Sequence, residues 1–348
     1  MKISVIMPVY NCERYLEAAI SSVLSQKGAE IEIIAVEDCS TDSSAEILRS
    51  LASKDSRIKP YFNDKNLGVS AVRNRALEYA TGDYLAFCDS DDIVPDGAYA
   101  ALLRAIGNND LAIGAYDDLY DNGRLLGLCP VKEDEKKSLF KATLSARSLW
   151  TKLVRRSFIV DNGLEFDPQM SVGEDVVFLA SLVVKNPSYA VTDAPVYYHC
   201  HHDTAVSRSL THVYTLSAFE MHIKCRRMVV SICKDIPEAK DYIYVNFTPF
   251  ITSFIPMISP EADRSAAFEI FKTYLAEYDF SGNKHLFLAL CGVPYDNFSS
   301  MTVEEFLEIR GSTPARDVVL LEFQHGMLGL RWIIRYFKAW FGYKIKKS

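Results

Sequence analysis

Asp89, Asp91 and Asp92 crowd together directly after the apolar run Tyr84-Leu85-Ala86-Phe87-Cys88. Adjacent carboxylates repel one another and resist burial unless something cationic sits among them. A buried strand that ends at a divalent-metal site accounts for the pattern. Oxygen ligands of this kind suit Mg²⁺ or Mn²⁺, and Mg²⁺ sites commonly pair a few carboxylates with substrate phosphates. The chemistry therefore points towards a nucleotide-diphosphate substrate. A lone Asp-x-Asp also occurs in ordinary solvated turns; its place at a strand end is what gives it weight. A second acidic pair, Glu174 and Asp175, follows Gly173 and precedes the apolar run Val176–Val184. Two carboxylates in the first turn of a helix either favour the helix dipole or supply a proton acceptor.

These groups need a scaffold. Ile3–Met7, Ile31–Val36, Ile58–Phe62, Tyr84–Cys88 and Leu111–Tyr116 read as strands, with helix-period segments at Glu13–Gln26, Ser43–Ala52 and Val69–Ala80 between them. Strand–helix alternation with continuous apolar strands predicts an α/β fold, a mostly parallel sheet sandwiched by helices. Ligands of such sheets bind at the carboxyl ends of the strands. Pro8-Val9-Tyr10-Asn11, Glu37-Asp38-Cys39-Ser40-Thr41-Asp42 and Asp89-Ser90-Asp91-Asp92 follow three strands and should converge on one edge. Farther on, Asp121-Asn122-Gly123 reads as a hairpin turn, Ser148–Val160 and Glu174–Val184 as helices, and Ala190–Tyr198 as a strand. Beyond residue 210 the chain reads as mainly helical. The expected division is 1–210, catalytic, and 211–348, a helical region for acceptor, oligomer or membrane contact.

Composition narrows the classes. The 348 residues are 49% hydrophobic and 24% charged, ordinary values for a soluble globular protein. A net charge of −7 argues against nucleic acid as a partner. Eight scattered cysteines without a Cys-x-x-Cys pair suggest free thiols in a reducing compartment. No run reaches the length of a spanning helix, so a cytoplasmic location is expected. No Gly-x-Gly-x-x-Gly follows the first strand, which disfavours a dinucleotide-binding oxidoreductase.

Taken in order, Pro8-Val9-Tyr10-Asn11, Val36 to Asp42, Asn66-Leu67-Gly68 with Arg73-Asn74, Asp89 to Asp92, and Gly173-Glu174-Asp175 closely resemble the inverting family 2 glycosyltransferases of the GT-A fold, over residues 1–210. The resemblance implies a Rossmann-like nucleotide-diphospho-sugar transferase of hexosyltransferase type. Its donor would be a nucleotide-diphosphate sugar, a UDP-sugar, and its cofactor Mn²⁺ or Mg²⁺. Its acceptor would be a cell-surface glycan or lipid-linked hydroxyl. It assigns Asp38 to the uracil imide and Glu37 to the ribose; by their own chemistry Pro8 fixes the chain as it leaves the first strand, and Val9 and Tyr10 can pack against a flat base. Gly68 and Arg73 fall to base or phosphate, Asp89 and Ser90 to ribose or donor sugar, and Asp91, with Asp89, to the metal. Asp175 matches the family's base, with Glu174 beside it as an acceptor contact. Family members usually carry Asp at Glu37 and Gly at Cys39; Cys39 puts in doubt a left-handed turn that Gly would allow. Trp150-Thr151-Lys152-Leu153 is similar to a Trp-Asn-Lys-Leu segment of bacterial members, with Thr replacing Asn. Tyr197-Tyr198-His199-Cys200-His201-His202 is similar to the family's tyrosine-rich strand and the loop after it. Its His and Cys fit no structural zinc spacing. Either one histidine, His202, completes the metal or phosphate shell, or the loop is a lid.

From 330 to 348 basic Arg331, Arg335, Lys338, Lys344, Lys346 and Lys347 interleave with Trp332, Phe337 and Trp340, without an acidic residue. A basic aromatic amphipathic helix reads as a binder of an anionic membrane surface, here the inner face of the cell membrane. The same helix could instead pack on the catalytic domain or on a second copy in a homo-oligomer. Two other readings remain: a catalytically silent homologue acting as a binding subunit, and a sugar-nucleotide nucleotidyltransferase. The second would need a Gly-rich basic loop after the first strand, and Asn11-Cys12-Glu13-Arg14 is not one.

Overall fold

The computed structural model of the chain describes residues 1–145, 149–202, 214–282 and 284–312. Two compact units emerge, Met1–Ser209 with Ser231–Ile236, and Leu210–Val230 with Pro237–Ser348.

The first unit alternates strand and helix: β1 (Lys2–Val9), α1 (Leu16–Leu24), β2 (Glu30–Glu37), α2 (Ser44–Lys54), β3 (Ile58–Phe62), α3 (Val69–Tyr79), β4 (Tyr84–Phe87), α4 (Ala98–Ile106) and β5 (Leu111–Tyr120). Then come α5 (Leu139–Ser145), β6 (Lys152–Arg155), α6 (Arg156–Asp161), α7 (Glu174–Val183) and β7 (Tyr189–His201). One sheet takes the order β3-β2-β1-β4-β6-β5-β7. All its pairings are parallel except those of β6, which runs antiparallel to both β4 and β5. Ile3, Val5, Ile33, Ala35, Ala86, Ala112 and Leu153 are buried in a core shared with Leu16, Ile20 and Val23 of α1 and Leu102 and Ile106 of α4. β1 lies between β2 and β4, so the chain order reverses beside it, where an open α/β sheet forms its ligand crevice.

Two expectations are corrected here. The helix expected over 148–160 is broken: Leu149–Thr151 is a 3-10 turn and Lys152–Arg155 is a strand, with helix resuming only at Arg156. Leu153 and Val154 are fully buried between β4 and β5, and this pairing overrides their helical spacing. Cys39 takes φ +60° despite its side chain. Its N–H and that of Ser40 donate to the Glu37 carboxylate at 3.2 and 2.6 Å, holding the left-handed turn in place of a glycine.

The second unit is helical: α8 (Leu216–Ile232, whose last residues belong to the first unit), α9 (Ala239–Phe254), α10 (Glu261–Ala276), α11 (Lys284–Cys291), α12 (Tyr295–Phe298) and α13 (Val303–Ser312). Phe254, Phe268, Phe271, Phe287 and Phe306 fill its core. Among the described residues no helix is long and apolar enough to cross a membrane. The basic segment 330–348 lies outside the described residues.

Candidate active site

The ends of β1, β2 and β4 are adjacent in the sheet, and the polar clusters that follow them share one edge. The loop after β1 is laced to the loop after β2. Asn11 Oδ1 accepts from the Thr41 N–H at 2.8 Å, and Ser40 Oγ accepts from the Asn11 N–H at 3.1 Å. Pro8 is half-buried at the end of β1, and Tyr10 next to it is 48% exposed, an aromatic face open to a ligand.

Asp38, buried at the end of β2, organises a third loop. Its Oδ1 accepts from Asn63 Nδ2 at 2.7 Å and from the Leu67 N–H at 2.9 Å, and its Oδ2 from the Gly68 N–H at 2.9 Å. A carboxylate offers about four lone-pair sites, so one on Oδ2 remains for an outside N–H. Gly68, at φ +83°, turns that loop into α3. Ser70 Oγ donates to the Met170 carbonyl at 2.8 Å and is thereby committed to the fold.

Arg73, one turn into α3, joins the two acidic motifs. Its Nη1 donates to Glu174 at 2.6 Å and its Nη2 to Asp89 at 3.1 Å. The Asp-x-Asp loop after β4 and the start of α7 therefore meet across one guanidinium, although Glu174 lies 101 residues after Arg73 in the sequence. Asp175 follows Glu174. Burial and then the Glu174 charge push its carboxyl up to about 7, against the pull of Arg73. A base poised near neutral pH suits proton abstraction. Lys152 is fully buried nearby, its Nζ 3.0 Å from Thr151 Oγ1; burial holds its ammonium down to about 7, opposed by the Asp175 charge.

The aspartates after β4 divide into two kinds. Asp92 is structural: it is buried, accepts from Tyr197 Oη at 2.8 Å and from the Cys200 N–H at 2.6 Å, and so ties the loop to β7. Tyr197 Oη in turn accepts from the Asp89 N–H at 3.0 Å. Burial and then Asp91 raise the Asp92 carboxyl well above its usual range. Asp91 pairs with no Arg or Lys among the described residues, and burial followed by the neighbouring Asp89 raises its pKa. A half-buried carboxyl beside a second carboxylate, with no Arg or Lys paired to it among the described residues, is of the oxygen type that suits a divalent ion. Ser90, also buried, hydrogen-bonds the Cys12 thiol. His202 stacks on Tyr15 with centroids 3.6 Å apart; its Nε2 is 2.8 Å from the Asp91 carbonyl and its Nδ1 3.1 Å from Asp121. Both ring nitrogens thus face protein oxygens at the rim of the acidic cluster.

Asn63 and Tyr197 bond to the candidate residues Asp38, Asp89 and Asp92, and Lys152 lies within reach of the Asp175 charge; the sequence pattern left all three unassigned. Asn63 had a signal, since it follows β3 as Asp38 follows β2. Tyr197 and Lys152 had only their positions in recognisable segments.

Residues 4–159 match Glycosyl transferase family 2. The chain is 44% identical over 111 residues to an uncharacterized glycosyltransferase of Haemophilus influenzae, covering 32% of this chain and 44% of that protein. It is 33% identical over 220 residues to a putative glycosyltransferase EpsH of Bacillus subtilis, covering 59% of this chain and 63% of that one. The chain thus spans less than two thirds of each of these relatives. Residues 1–349 of Staphylococcus aureus TarS, solved in complex with UDP-GlcNAc, superpose with a TM-score of 0.62 at 23% identity, over 90% of this chain and 91% of that one. That likeness fixes the fold as GT-A. Residues 4–159, somewhat under half of the chain, thus carry the likeness to glycosyl transferase family 2.

Proposed function

We propose that the protein moves a sugar from a UDP-sugar to a hydroxyl of a cell-surface glycan or lipid-linked acceptor, with inversion at the anomeric carbon. The observation that carries this reading is the Arg73 clamp, which holds the Asp-x-Asp loop and the Glu174–Asp175 turn together. In the proposed step the acceptor oxygen attacks the anomeric carbon while Asp175 takes its proton. The bond from that carbon to the diphosphate oxygen breaks opposite the incoming group, and the nucleoside diphosphate leaves with the electron pair. Glu174 orients the acceptor beside Asp175. Asp91 and Asp89 would hold the divalent ion, with His202 at its rim; when bound, such an ion neutralises charge on the departing diphosphate. Asp38 offers its remaining lone pair to the uracil imide, while Pro8 and Tyr10 pack on the base. Glu37 and Ser90 shape the ribose end, and Gly68 keeps the adjoining backbone open. The TarS complex with UDP-GlcNAc supports a uridine donor on the same fold.

A thermal-shift screen of nucleotides with Mn²⁺ or Mg²⁺ tests the donor. UDP at 100 times its Kd should stabilise the protein by about 2.7 kcal/mol. A shift with GDP but none with UDP would overturn the role given to Asp38.

A further inference from the structure

A second cluster of ligand-type side chains lies on the β5–β7 ladder, built from other residues than the aspartates just described but within reach of their charge. Asp118 of β5 pairs in register with His199 of β7, and His201 lies two residues on, on the same face of the strand. One oxygen, Asp118 Oδ1, stands 3.2 Å from His199 Nδ1 and 2.7 Å from His201 Nε2, and the three ligand atoms lie within 4.8 Å of one another. We propose that Asp118, His199 and His201 form a binding site for a transition-metal ion of the Zn²⁺ class, distinct from the hard-cation site at Asp91.

Three observations support it. Zn²⁺ bonds of about 2.0–2.2 Å to His nitrogen and carboxylate oxygen imply ligand–ligand separations near 3.3 Å in a tetrahedron. Asp118 Oδ1 already stands 3.2 Å from His199 Nδ1, its 2.7 Å approach to His201 Nε2 would open by roughly 0.6 Å, and the two imidazole nitrogens, within 4.8 Å of each other, would settle at about the same spacing. The imidazoles are already oriented: Tyr120 stacks on His201 with centroids 4.8 Å apart, and Trp150 lies parallel to His199 at 5.8 Å. Asp118 is almost fully buried, while the His199 and His201 side chains are 42% and 33% exposed, leaving an approach for the ion and room for a water in the fourth position. Two imidazoles with one carboxylate suit Zn²⁺ and its transition-metal neighbours Fe²⁺, Ni²⁺ and Cu²⁺, whereas the oxygen-only set at Asp89 and Asp91 suits Mg²⁺ or Mn²⁺. Sequence spacing alone does not reveal the site, because its carboxylate comes from a strand some 80 residues earlier.

The test loads chelator-stripped protein with Co²⁺ or Zn²⁺ in saturating Mg²⁺. One equivalent should bind. X-ray absorption of the Zn²⁺ form should show two imidazoles and oxygen but no sulfur, and the Co²⁺ form no thiolate charge-transfer band. His199→Ala and His201→Ala should each weaken binding at least about 100-fold, and Asp91→Asn, which removes a neighbouring charge but no ligand, should weaken it far less. Sulfur ligation, binding well below one equivalent, or unchanged affinity in both histidine variants would overturn the proposal. The absorption measurement needs no variant, so it decides the matter even if a substituted protein fails to fold.

Discussion

Replacing Arg73 with methionine removes the guanidinium from between Glu174 and Asp89 while keeping most of the side chain's length. The Arg73 side chain is 8% exposed, Glu174 12% and Asp89 37%. Breaking a buried ion pair costs about 3–5 kcal/mol. Because the Asp89 arm is partly solvated and weak, the expected loss sits at the lower end, about 3 kcal/mol. For a unit of this size that corresponds to a melting point lower by roughly 6–12 °C. The loss should also depend on pH. Arg73 restrains the Asp175 carboxyl, which burial and Glu174 already raise to about 7; without it that pKa climbs further. A group whose folded pKa lies above its unfolded value destabilises the fold once pH exceeds the unfolded value, and protonation relieves the penalty. Urea unfolding should therefore show a larger deficit at pH 8 than at pH 6. The alkaline shift should appear again in the pH profile of donor turnover. A deficit under about 1 kcal/mol, equal at both pH values, would refute the clamp.

Three further outcomes follow from the same geometry. In the unmodified protein, kcat/KM for nucleotide release should rise with pH through about 7 as Asp175 loses its proton; a profile flat from pH 5.5 to 8.5 would remove Asp175 from the role of base. Asp91→Ala should abolish the Mn²⁺ dependence of nucleotide binding seen by calorimetry and cut turnover at least about 100-fold, with the circular dichroism spectrum unchanged. Tyr197→Phe deletes a hydroxyl bonded to both Asp92 and the Asp89 N–H, and should cost about 2 kcal/mol in urea unfolding because a buried acceptor is left unpaired.

Much of this arrangement is legible in the sequence, and the boundary of legibility has a physical cause. β1, β2, β4 and the first half of β5 announce themselves because a strand buried on both faces must be apolar nearly throughout. β6 does not: Lys152-Leu153-Val154-Arg155 becomes a strand only because β4 and β5 leave a slot for it. Side-chain types show where carboxylates and an arginine are needed, but not which pairs form. Nothing near Arg73 in the chain predicts Glu174, and the separation of Asp92, tied to Tyr197, from Asp91 depends on how β7 docks. Asp38 was legible as a strand-end acceptor, yet its bonds to the Asn63–Gly68 loop were not, since a loop's path depends on what it closes against. Cys39 holds a left-handed turn because Glu37 supplies two acceptors, a compensation no single residue displays.

Inversion with Asp175 as the base shows itself in the stereochemistry of the first-formed product. With an α-linked UDP-sugar selected by the nucleotide screen and water as the acceptor, proton NMR during the first turnovers reads the anomer before it equilibrates. The β-anomer should appear first with the unmodified protein, and Asp175→Asn should form neither anomer above background while still binding UDP. First appearance of the α-anomer, or full turnover by Asp175→Asn, would contradict that mechanism.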